Sequence, residues 1–98
     1  MRTVVSWTTM ITACGLSGDV KDALDLFLVM VHMGMKPNHI TFLAVLQACA
    51  YGGLLKRGLE CFNVMTKKYG ITPGIDHYSC MVDILGRKGQ LSEAFKND

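Results

Sequence analysis

The chain is predicted to be all-α, an α-solenoid of stacked helix–turn–helix repeats, and three observations point there. The first is an internal period. Shifted back by 35, residues 39–74 set Phe42 on Trp7, Ala48 on Ala13, Cys49 on Cys14, Gly53 on Gly18, Phe62 on Phe27 and Met65 on Met30. Beyond Met65 the shift becomes 36, with Gly70 on Gly34 and Pro73 on Pro37. A forward shift of 36 sets Phe42 on Tyr78, Gly53 on Gly89, Leu55 on Leu91 and Leu59 on Phe95. A period in the twenties to forties is the mark of a repeat array. The second observation is that each copy opens with apolar residues at helical spacing, and the third is that glycine and proline punctuate the copies at matching places.

Residues 4–38 form the first unit. Trp7, Met10, Ile11 and Cys14 fall at i, i+3, i+4 and i+7, one stripe of a short helix. Gly15, Ser17 and Gly18 break it, and Ser17 or Asp19 is placed to cap the next helix, with Asp19 and Asp22 near its positive end. That helix is expected to reach about Met33, where Gly34 suits a left-handed terminator and Pro37 prevents continuation. Residues 39–74 repeat the plan, with a stripe of Phe42, Val45, Leu46 and Cys49, a turn at Gly52–Gly53 and a second helix from about Leu54 to Lys68. Residues 75–98 begin a third unit, with a stripe of Tyr78, Met81, Val82 and Leu85 and an expected turn over residues 86–89. Its second helix would start near Gln90 and have room for about two turns, too few to be stable alone.

Composition narrows the function classes. Half of the 98 residues are hydrophobic and 18% are charged, more apolar than so small a compact domain can readily bury. A segment of a longer stack would have this character, because its end faces are made to be covered, and uncapped ends would also favour self-association. The net charge of +2 neither requires nor excludes nucleic acid; residues 39–74 hold four basic residues against one acidic. Cys14, Cys49, Cys61 and Cys80 form no CxxC pair, and Cys14 and Cys49 share one place on the apolar stripe. They read as small core residues in a reducing compartment, not as zinc ligands. His32, His39 and His77 show no ligand spacing and read as surface or loop residues, and Met30, Met33, Met35 and Met65 as packing. No metal or cofactor is expected. No apolar run approaches the ~20 residues of a membrane span, and no transit or signal peptide is visible ahead of the first unit, as expected of a fragment.

Two features separate the candidate repeat families. Tetratricopeptide repeats place a glycine after the apolar position of the first helix, where this chain has Ile11, Leu46 and Val82, and they run to 34 residues, not 35 or 36. The chain resembles the pentatricopeptide repeat family over nearly its whole length. VVSWTTMITACGLSGDVKDALDLFLVMVHMGMKPN is similar to the consensus unit, HITFLAVLQACAYGGLLKRGLECFNVMTKKYGITPG to the 36-residue long variant, and IDHYSCMVDILGRKGQLSEAF to the short unit that closes the repeat tract in the plant subclass with alternating repeat lengths. The resemblance implies a single-stranded RNA-binding solenoid of mitochondria or chloroplasts, serving RNA editing or other processing. It implies one base per repeat, read by two or three side chains.

On that resemblance, Thr8 and Asn38 form the base-reading pair of the first unit, matching the pairing associated with adenine, and Val5 is the apolar residue that sandwiches a base. A hydroxyl and an amide together can donate to and accept from a base edge. The bland reading makes Thr8 a solvated helix residue and Asn38 a turn residue after Pro37. The second unit has Leu43 and Gly74 at these places and offers no side-chain hydrogen bond; Ser79 holds the reading position of the third, with its partner beyond Asp98. Lys56–Arg57, Lys67–Lys68 and Arg87–Lys88 could meet phosphates but more often form solvated faces. One read base is worth about 1–3 kcal/mol against an association cost of several, so useful affinity needs repeats in series. The zinc deaminase signature of HxE with PCxxC is absent, so the chain is not expected to be an enzyme, and an editing role would need a separate deaminase or other editing-complex proteins. The competing class is a protein-interaction scaffold, and a third reading is a fragment with no independent role.

Overall fold

The computed structural model describes residues 3–96, with side chains from residue 3 to residue 86. Among these the chain is all-α: α1 (Val4–Leu16), α2 (Val20–His32), α3 (His39–Gly52), α4 (Leu55–Asn63), a π-helical turn (Val64–Lys68) and α5 (Ile75–Lys96). The helices pile into an elongated body of 54 × 28 × 20 Å. α3 lies at its centre, packed on α1, α2, α4 and α5. That position explains its composition. Phe42, Val45, Leu46, Ala48 and Cys49 are fully buried, and Ala44 and Ala50 nearly so, which leaves α3 apolar on almost every side. Phe42 stacks edge-on to Phe27 at 5.3 Å and lies 5.5 Å from Tyr69, tying α2, α3 and the π-helical turn together.

Each helix of the first two units ends in the same way. Gly18, Gly34, Gly53 and Gly70 all have positive φ, between 63° and 88°. Backbone N–H groups then reach back to the last turn, as in Met35 N–H to the Met30 carbonyl at 3.1 Å and Leu54 N–H to the Cys49 carbonyl at 2.9 Å. The 36th residue of the second unit is absorbed at its second helix. The shift changes from 35 to 36 between Met65 and Gly70, and there the helix widens into the π turn, with Tyr69 N–H bonded to the Val64 carbonyl at 3.1 Å. Ile71 N–H then closes onto the Met65 carbonyl at 3.0 Å, the counterpart of the Met35–Met30 bond with one more residue enclosed. Met30 and Met65 are both fully buried, so the widening keeps the core register and spends the extra residue on the rim.

Several expectations need correction. Asp19 occupies the position before α2 but makes no side-chain cap bond, and Ser17 terminates α1. The third unit buries Cys80, Met81, Ile84 and His77, while Tyr78, Val82 and Leu85 are exposed. The buried stripe is thus turned by one residue from the expected one. The cause is that a first helix has two apolar faces, one toward the preceding first helix and one toward its own second helix. α5 packs on α3 and α4 and buries only the former. The turn expected over residues 86–89 is also absent: α5 continues to Lys96. Arg87, Lys88, Gln90, Leu91, Glu93 and Ala94 are good helix formers, and a hairpin is decided by packing of its second helix, which local propensity does not supply. The side-chain matches proposed for Gly89, Leu91 and Phe95, and the Arg87–Lys88 pair, lie outside the described residues. Met33 is exposed and does not pack in the core.

Candidate nucleic-acid interface

α1 and α3 meet along a trough of about 480 Å³, lined by Val5, Thr8, Thr9, Thr12, Ala13, Leu16, Asn38 and Ile40. That volume falls within the ~300–1,000 Å³ of small-ligand clefts. The trough brings Val5, Thr8 and Asn38 together, and each arrives for a local reason. Asn38 caps α3: its Oδ1 accepts from Ile40 N–H and Thr41 N–H, both at 3.0 Å, while its own N–H donates to Thr41 Oγ1 at 3.2 Å. This is a reciprocal cap with threonine three residues in. Val5, in the first turn of α1, is 72% exposed.

Thr8 differs from its expected setting. It is buried, and its Oγ1 lies 2.9 Å from Oγ1 of Thr41, itself fully buried. The hydroxyl expected to stand free on a helix surface belongs to a chain, Thr8–Thr41–Asn38, closed by Thr41 Oγ1 donating to Asn38 Oδ1 at 3.1 Å. Sequence reasoning missed Thr41, although a threonine three residues after an asparagine cap was a readable signal. It also missed Ile40, which is half-exposed, lines the trough, and stands 35 residues after Val5 at the same repeat place.

The corresponding trough between α3 and α5, about 370 Å³, is lined by His39, Ile40, Leu43, Thr72, Gly74, Ile75, Asp76 and His77. Leu43 and Gly74 stand where Thr8 and Asn38 stand in the first. His77 is not the surface residue expected from sequence: it is 4% exposed. Its Nδ1 accepts from Gly74 N–H at 2.9 Å, which leaves Nε2 to donate to the His39 carbonyl at 2.8 Å. Ser79 is exposed on α5 and lines neither trough.

Among the described residues no lysine or arginine lines either trough. Lys56 and Arg57 lie at a separate hollow with Gly53 and Leu54, and Lys67 and Lys68 are exposed on the π turn, with Lys68 Nζ 5.8 Å from the Tyr69 ring centre. The first trough is therefore lined by apolar side chains and uncharged hydrogen-bonding groups. The cysteines are free thiols. Cys49 is held well above the ordinary thiol range by its hydrogen bond with Cys61 and by burial, and Cys80 is pushed up chiefly by burial. Among the described residues no group of His, Cys, Asp and Glu could hold a metal ion, and no helix is long and apolar enough to cross a membrane.

Comparison with known proteins bears on the same residues. A model of the PPR repeat family matches residues 2–51, and a PPR repeat model matches residues 40–69 and again 76–96. The chain is similar to a mitochondrial pentatricopeptide repeat-containing protein of Arabidopsis thaliana, 59% identical over 95 residues, covering 97% of this chain and 14% of that protein. A chloroplastic pentatricopeptide repeat-containing protein of the same plant is 48% identical over 93 residues, covering 95% of this chain and 12% of its own length. The chain thus spans about one-seventh of the length of these relatives.

Proposed function

The chain belongs to the PPR repeat family, and from that membership we propose that it is an RNA-reading segment of a longer repeat array, binding single-stranded RNA through the first trough. The observation that carries the reading is the convergence in one cleft of two apolar flanks, Val5 and Ile40, with a hydroxyl and an amide, Thr8 and Asn38. A base slid between the flanks would present its edge to the polar pair. Stacking and edge contacts are each worth about 1–3 kcal/mol, which makes this a one-base site whose affinity comes from neighbours. The units are assigned as residues 4–38, 39–74 and 75–98, the second of the long type and the third, with Ser79 at its reading position, of the short type. Organellar RNA editing or processing is the proposed setting, since the named relatives include mitochondrial and chloroplastic proteins. Catalysis would then reside in a separate deaminase or other editing-complex protein.

The test is a titration of the 98-residue chain with short single-stranded RNAs, followed by NMR. Asn38 side-chain amide signals are expected to shift at millimolar RNA, more for a central adenine than for other bases. Shifts confined to the exposed lysines would reject the reading. A protein-contact role has one observation in its favour: Ile75, Tyr78, Val82 and Leu85 expose apolar surface on α5. Under that role the chain tolerates changes at Thr8 and Asn38 and loses a partner when those four are made polar.

A further inference from the structure

The hydrogens of the Thr8–Thr41–Asn38 chain can be assigned one by one. Asn38 Oδ1 accepts from two backbone N–H groups, which fixes the amide orientation and leaves Nδ2 as a donor. Thr41 Oγ1 lies 3.1 Å from that same oxygen, and a carbonyl oxygen cannot donate, so the single hydroxyl hydrogen of Thr41 points to Asn38. One lone pair of Thr41 takes Asn38 N–H at 3.2 Å. Either oxygen of the 2.9 Å contact with Thr8 could donate; with the Thr41 hydrogen on Asn38, it is Thr8 that donates inward. Thr8 is left with lone pairs only toward the trough, and Asn38 with hydrogens only.

We propose that Thr41 is a positioning residue for base recognition: it polarises the reading pair, making Thr8 an obligate acceptor and Asn38 an obligate donor. This rests on the reading of the first trough as a base site. Thr41 belongs to the next repeat along the chain and is fully buried, so it touches no ligand. Its effect passes through the orientation of two other side chains. Without its hydroxyl, Thr8 regains a rotatable hydrogen that can point into the trough, and a base edge of either polarity is then accepted. The second trough supports this by contrast: His77 stands 36 residues after Thr41 and keeps the backbone cap, but with Leu43 beside it there is no hydroxyl to orient.

The experiment compares the wild-type chain with Thr41→Val and Thr41→Ser. Each is titrated with four uridine heptanucleotides that differ only in the central base, and Asn38 side-chain amide shifts give the Kd ratios. The wild type and Thr41→Ser are expected to share one base preference, and Thr41→Val to lose at least about fivefold of it, the lower end of one base contact. A Thr41→Val chain that remains helical and keeps the wild-type ratio overturns the proposal while leaving the base site intact. A wild-type chain with no preference removes the base site and the proposal with it. If Thr41→Val does not fold, the wild type decides: the Thr8 hydroxyl hydrogen is expected to exchange slowly with water, and exchange as fast as that of exposed Ser79 overturns the assignment.

Discussion

Between α1 and α3 the residues that converge are Thr8, Asn38 and Thr41; between α3 and α5 the same repeat places hold Leu43, Gly74 and His77. Both junctions close the start of the following helix in one way. At the first, Asn38 N–H donates to Thr41 Oγ1, and at the second, Gly74 N–H donates to His77 Nδ1. The backbone needs an acceptor three residues in, and threonine or histidine supplies it. What the junctions offer a ligand differs altogether. The first has a polarised hydroxyl–amide pair between Val5 and Ile40, whereas the second has a leucine, no side chain at Gly74, and the Asp76 carboxylate where an apolar flank would stand. Helix closure and trough lining are thus separable at one and the same repeat place, and the sequence can vary the lining while keeping the closure.

The strongest way to break the comparison is to remove what both junctions share. Phe42→Ala empties a fully buried site against Phe27 and Tyr69 and is expected to cost about 3–5 kcal/mol. Circular dichroism should then report both junctions melting together; survival of either alone would mean that α3 does not couple them. His77→Ala acts on one side only. It removes the acceptor of Gly74 N–H and a second donor to the His39 carbonyl, and a loss of about 1–2 kcal/mol is expected. Hydrogen exchange should accelerate at the start of α5 while the amides of residues 38–41 stay protected.

A transplant sharpens the contrast further. Leu43→Thr with Gly74→Asn, Asp76→Val and His77→Thr rebuilds the first junction at the second, and a gain of about 1 kcal/mol in base discrimination is expected in RNA titrations. The same transplant with His77 retained should gain less, because no hydroxyl then orients the new threonine. The smallest effect is expected at Gly58, which stands where the first unit has Ala23. A Cβ there meets Ile84 Cδ1 at 2.8 Å, but that methyl is the far end of a flexible side chain. Helix propensity gains roughly what the shift costs, so Gly58→Ala should change stability by less than about 1 kcal/mol in thermal melts. A larger loss would show that the second hairpin is packed more tightly on α5 than the first is on α3.

The repeat period, the helix order of the first two units, the terminating glycines and the insertion between Met65 and Gly70 were legible in the residues, because they depend on local backbone preference and on helical spacing. The grouping of Val5, Thr8 and Asn38 was expected from the resemblance to pentatricopeptide repeats, and the three line one trough. Three matters were decided only in the folded chain. Which face of α5 is buried followed from the helices that lie against it, not from its own pattern. The burial of His77 followed from two backbone groups, on Gly74 and His39, that meet only when α3 and α5 pack. The pairing of Thr8 with Thr41, 33 residues away, is the third, and a hydrogen bond between distant side chains leaves no periodic trace in sequence. Local preference and spacing repeat from unit to unit and can be read along the chain. Contacts between units exist only in three dimensions, and that is where Thr8 meets Thr41.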